Sequence, residues 1–118
     1  MYYEDCKIGD KSKRNYTVIA GDTFPASITI KQNGEILHPS LVTSLKFKLA
    51  DENFEKKYSQ DFEYNEVDEK WFLNLPSSVT ATLGDGTYIY EYELTLLDGY
   101  VTTIMQAKFK IKKEIRGE

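Results

Sequence analysis

The run Leu83–Lys112, LGDGTYIYEYELTLLDGYVTTIMQAKFKIK, decides the fold. Asp98-Gly99 is a two-residue type I′ turn candidate between two long β-rich runs, Thr87 to Leu97 and Tyr100 to Lys112. With that loop, paired residue numbers sum to a constant. Leu96 then faces Val101, Leu94 faces Thr103, Tyr92 faces Met105, Tyr90 faces Ala107 and Tyr88 faces Phe109. This column is apolar and core-facing, whereas Glu91, Glu93, Thr95, Thr102, Gln106, Lys108 and Lys110 occupy the opposite face. A slip of one residue would bury the charges.

The same period of two extends toward the N-terminus. Ile28 and Ile30 alternate with Thr29 and Lys31 and are followed by the turn signal Asn33-Gly34. Leu45, Phe47 and Leu49 alternate with Lys46 and Lys48, as in a sheet that packs on one side only. Five further candidate strands, Asn15 to Ala20, Ala26 to Gln32, Thr43 to Ala50, Lys57 to Glu63 and Lys70 to Leu75, bring the total to seven. Pro76 to Leu83 suits one helical turn with a serine cap, connecting two sheets. Leu83, Gly86 and Tyr88 match the corner of Greek-key sandwiches, where a tyrosine hydroxyl bonds upstream backbone. The reading is an all-β, immunoglobulin-like antiparallel β-sandwich of about seven strands. It has no disulfide, because Cys6 is the only cysteine. Residues 1–14 form a polar N-terminal segment, 15–113 the sandwich and 114–118 a C-terminal tail.

A chain of 118 residues carries one such core. Its net charge of −4 lacks the basic footprint of nucleic-acid binding, and no apolar run is long enough to cross a bilayer. The opening residues contain no signal-peptide core, so synthesis in the cytoplasm is expected. Cys6 reads as an inert thiol in a polar segment, with a sensor or intermolecular role as the alternative. His38, before Pro39, reads as a loop residue without catalytic partners.

Residues 51 to 69 hold eight acids against Lys56 and Lys57, but lack the ligand spacing of a calcium loop. Charged turns and strand edges that discourage aggregation explain them. Ser77 and Ser78 have no nucleophile elbow, and Gly84-Asp85-Gly86 leads into a strand rather than a phosphate-binding helix. No catalytic, metal or cofactor residue is assigned. Tyr2, Tyr3, Tyr16, Tyr58, Tyr64 and Tyr100 fall outside the core column, and some of them could form a docking patch.

Ile19-Ala20-Gly21-Asp22-Thr23-Phe24, the strand after it and Asn33-Gly34 resemble the opening of small immunoglobulin-like domains in bacteriophage tail and baseplate proteins. Leu83 to Leu94, Asp98-Gly99 and Val101 to Ile104 resemble their final hairpin, including that of the N-terminal domain of baseplate upper proteins. The resemblance implies a noncatalytic assembly module of a phage or prophage virion. Its partners would be other phage structural proteins or copies of itself. The alternative is a bacterial carbohydrate- or surface-binding sandwich domain. For docking, the candidate edge is the strand Tyr16, Thr17, Val18, Ile19 and Ala20, beside the polar N-terminal segment; the alternative is an edge already covered within the monomer.

Overall fold

In the computed structural model, which describes residues 2–115, the alternating runs condense into ten strands and one short helix. In chain order these are β1 (Tyr2–Lys7), β2 (Tyr16–Ile19), β3 (Phe24–Gln32), β4 (Glu35–Ile36), β5 (Val42–Ala50), β6 (Lys56–Asp61), β7 (Glu63–Asn65), β8 (Lys70–Leu75), α1 (Ser77–Leu83), β9 (Gly86–Leu96) and β10 (Val101–Lys112). One sheet has the order β1-β3-β8-β7, with β4 paired to the end of β3; the other has the order β2-β10-β9-β5-β6. The two face each other as an immunoglobulin-like sandwich.

The core lies between them and is built by alternation. Phe24, Ala26, Ile28 and Ile30 of β3 meet Leu45, Phe47 and Leu49 of β5, and Tyr90, Tyr92 and Leu94 of β9; all are buried. Aromatic rings run through the centre, with Phe47, Tyr90 and Phe109 stacked or edge-on to one another at centroid separations of 5.9–6.2 Å. Such geometry adds roughly 0.5–1.5 kcal/mol per pair beyond burial alone.

The sheets are mixed rather than antiparallel. β1 runs parallel to β3, and β2 runs parallel to β10. The segment expected as a polar lead-in over residues 1–14 supplies β1, with Cys6 fully buried. Its alternation was masked by charge on one side: Tyr2, Glu4 and Cys6 turn one way, and Tyr3, Asp5 and Lys7 the other. The chain passes along the first sheet as β1, turns at Gly9 and returns along the second as β2, so each sheet gains a parallel edge. Residues 116–118 of the expected tail lie outside the described residues.

The strand expected over Lys57 to Glu63 is two strands. β6 pairs with β5, the chain crosses the sandwich at buried Phe62, and β7 pairs with β8 in the other sheet. The serine cap on the helix is not made. Pro76 stands at the N-cap without a side-chain hydrogen bond. Thr80, fully buried, anchors α1 instead: its hydroxyl accepts from Gly21 N–H at 3.0 Å and donates to the Asp22 carbonyl at 2.8 Å.

The final hairpin departs from the expected register at its tip and recovers it inside. Gly99 N–H donates to Leu96 O and Leu96 N–H to Tyr100 O, so the loop is the three residues Leu97-Asp98-Gly99, with Gly99 at φ +92°. Leu94 therefore faces Thr102, not Thr103, and Val101 faces Thr95 and is exposed. A bulge at Ile104 takes up the extra residue. Beyond it Tyr92 faces Met105, Tyr90 faces Ala107 and Tyr88 faces Phe109, as the sequence pattern requires. Asn33-Gly34, by contrast, is a two-residue turn with both φ values positive, +54° and +82°.

Candidate functional site

β2 is an edge strand bonded on one side to β10. In a parallel ladder, alternate residues direct both backbone groups to the same neighbour. Ser12 N–H bonds Ile104 O, and Ala20 N–H bonds Lys112 O, so even-numbered residues, Tyr16 and Val18 included, face β10. Thr17 and Ile19 therefore present their N–H groups outward. Ile19 O is occupied by Asp22 N–H at 2.9 Å, which leaves Thr17 with both its N–H and C=O on the open side. The side chains follow the same alternation: Tyr16 and Val18 are buried, while Thr17 and Ile19 are exposed. Of the five candidate edge residues, only Thr17 and Ile19 offer groups to a partner. Tyr16, Val18 and Ala20 serve the sandwich itself.

The neighbouring edge, β1, is blocked by one side chain. The Arg14 guanidinium donates to Tyr3 O at 3.2 Å, pairs with Glu4, and lies 5.1 Å from the Tyr16 ring centre and 5.9 Å from that of Tyr2. Charge on an edge discourages further strand addition. The two edges that meet along this seam thus differ: β1 is obstructed at its centre and β2 is open at Thr17.

Tyr88 holds the corner. Its hydroxyl donates to Leu83 O at 2.7 Å and lies 3.2 Å from Gly84 O, while Gly86, at φ +153°, leaves its missing side chain's place beside the Tyr88 ring, which a Cβ there would touch at 3.7 Å. This bond joins the end of α1 to the start of β9. Asp98 supports the hairpin tip by accepting Tyr100 N–H at 3.0 Å. Leu83, Gly86, Tyr88, Asp98 and Gly99 thus hold the fold; Gly86 and Tyr88 lie opposite Ile111 and Phe109 of β10, the strand that carries β2 on its other side.

The acidic stretch is split over turns and edges. Asp51 accepts the N–H groups of Asn53 and Glu55, which together with the nearby Lys57 ammonium hold its carboxyl below the usual carboxylate range. Asn65 accepts those of Val67 and Asp68. Among the described residues, no group of three or more acids, histidines or cysteines is arranged to hold a metal ion. His38 Nδ1 accepts Ser40 N–H and starts the 3-10 turn Pro39–Leu41. Burial pushes the Cys6 thiol up to about 12, which keeps it protonated.

No family model and no curated protein matches the chain. Among solved structures, it is similar to the N-terminal domain of phage TP901-1 ORF48, with a TM-score of 0.62 at 8% identity, over 95% of this chain and 98% of that one. The two share a fold. Weaker likenesses are to fibronectin(III)-like modules of Clostridium thermocellum CbhA, with a TM-score of 0.49 at 10% identity over 94% and 98%, and to CopC from Methylosinus trichosporium OB3b, with 0.47 at 10% over 93% and 91%.

Two residues that shape this region were not singled out from the sequence. Arg14 carried no signal, since its partners Glu4, Tyr2 and Tyr16 come together only through the parallel crossover. Thr80 sat in a segment read for helix caps, and its bonds go to a loop more than fifty residues away.

Proposed function

We propose that this chain is a noncatalytic assembly module of a phage or prophage tail or baseplate, and that it docks by adding a partner strand to β2. The whole-domain likeness in fold to a phage protein's N-terminal domain supports the setting. The observation that carries the docking mode is the open edge at Thr17, whose outward N–H and C=O lie beside the exposed Ile19 side chain. Main-chain groups of this kind give affinity in strand addition, while alternate side chains give specificity.

The register dictates the test. Thr17→Pro removes an outward donor and leaves the β10 ladder intact; Val18→Pro removes a ladder bond and destabilises the fold. Proteins encoded beside this chain are co-expressed with each variant and complexes are sized. Thr17→Pro is expected to retain its melting temperature and lose co-assembly. Amide exchange at Thr17 and Ile19 is expected to slow in the assembled form. Unchanged exchange at both residues in a stoichiometric assembly would reject the edge. Specific glycan binding, with no protein partner, would replace the assembly reading with the carbohydrate one.

A further inference from the structure

The β2 edge is at one side of the sandwich. A second surface lies at one end, where β3 finishes, β8 begins and the β9–β10 hairpin turns. Leu97 N–H donates to Leu41 O at 2.9 Å, which ties the hairpin tip to the 3-10 turn Pro39–Leu41. Leu37, Leu41, Leu96 and Leu97 line a groove of about 380 Å³, with Gln32 and Asp98 at its margin. Leu37 also floors an adjoining depression of about 330 Å³, bordered by Tyr64, Glu66 and Glu69. Six of the ten large apolar side chains exposed among the described residues belong to this end: Ile36, Leu41, Val67, Leu97, Tyr100 and Val101. The concentration makes it an apolar patch rather than scattered exposure.

Charge selects the occupant. Residues 33–41, 66–69 and 97–101 contain Glu35, Glu66, Asp68, Glu69 and Asp98, and no lysine or arginine; Lys7 and Lys31 border a separate depression behind Asn33-Gly34, and Lys70 follows the acidic turn. Neither depression has a lysine or arginine in its described lining. A second copy presented end to end would set these acids against their own images, and an anionic membrane would be repelled in the same way. A segment with apolar side chains for the groove and cationic ones for the rim satisfies both features, and complementary potential speeds its encounter.

We infer that this end of the sandwich docks a cationic amphipathic segment of a partner protein, with an apolar side chain seated between Leu41 and Leu97 and basic groups facing Asp98, Glu66 and Glu69. The inference rests on the assembly reading and gives the module a second contact, separate from the β2 edge. Loops gathered at one end of a sandwich are a common place for recognition, since the sheets hold them while their sequences vary.

The full chain is titrated with three peptides of equal length: one of lysine and leucine in helical periodicity, one with glutamate for lysine, and one with serine for leucine. Backbone amide shifts are followed by NMR. The lysine–leucine peptide is expected to shift residues 35–41, 66–69 and 97–101, and to bind at least about tenfold more tightly than either control. Leu41→Ser with Leu97→Ser, two exposed positions, should weaken it about tenfold at unchanged melting temperature; Asp98→Lys with Glu66→Lys should do the same. Equal affinity for the lysine–leucine and lysine–serine peptides, or shifts spread over the whole surface, would overturn the inference. So would self-association abolished by the leucine variants, or binding to anionic vesicles. In co-assembly, loss with Thr17→Pro but not with the leucine variants would reject this end and keep the edge. The reverse result would reject the edge and keep this end.

Discussion

Ile104 and Met105 are consecutive in an extended strand, and both are fully buried. Alternation forbids this in a regular strand; the bulge between Thr103 and Met105 permits it by turning two successive side chains to one face. The bulge also cancels the shift created by the three-residue loop at Gly99. Ile104→Ala should therefore cost about 2–5 kcal/mol, whereas Val101→Ala, at an exposed site, should stay within about 0.5 kcal/mol. Urea midpoints of the two variants measure the difference.

Three tyrosines of one β9 column have three different hydroxyl environments. Tyr88 donates to Leu83 O, Tyr90 donates to Arg14 O, and the fully buried Tyr92 hydroxyl has only the Tyr16 hydroxyl near it, with no well-formed hydrogen bond. Tyr88→Phe and Tyr90→Phe should each lose about 0.5–1.5 kcal/mol, and Tyr92→Phe should be neutral or stabilising by up to about 1 kcal/mol. Denaturant titration of the three variants side by side tests the order; a larger loss at Tyr92 than at Tyr90 would contradict it.

Alkaline pH should weaken the fold. Burial raises the Cys6 thiol to about 12 and pushes the Tyr16, Tyr90 and Tyr92 hydroxyls upward. The folded state holds these protons more tightly than the unfolded chain, so their contribution is complete below the unfolded values. It declines as pH rises through those values toward the folded ones. Midpoints of urea unfolding are expected to hold from pH 7 to 8 and to fall above about 9, where the unfolded thiol ionises. Cys6 should resist a thiol reagent at pH 8 in the native chain and react at once in urea.

Phe54 stands at φ +63° in the β5–β6 turn, a conformation suited to glycine, with its ring largely in solvent. Asp51 O accepts Phe54 N–H and maintains the turn. Phe54→Gly relieves backbone strain and loses little burial, so stability should rise by up to about 1 kcal/mol in a thermal melt. A fall would mean that the ring's packing near Ile89 outweighs the strain.

The sequence by itself determined the two-faced strands, the core column Tyr90, Tyr92 and Phe109, the Asn33-Gly34 turn and the position of Tyr88 before the long hairpin. These rest on periods of two and on turn chemistry, which act between residues close in the chain. Tertiary structure decided the rest. β1 escaped notice because an edge strand buries one side only, and Glu4 breaks its apolar column. The crossing at Phe62 was hidden because a strand that changes sheets keeps an extended pattern. Asp98-Gly99 fits either a two- or a three-residue loop, and only the packing of Ile104 and Met105 against the opposite sheet selects between them. The direction of Thr17 N–H depends on its parallel register with β10, set by how the crossover from β1 brings the chain alongside a strand some ninety residues away.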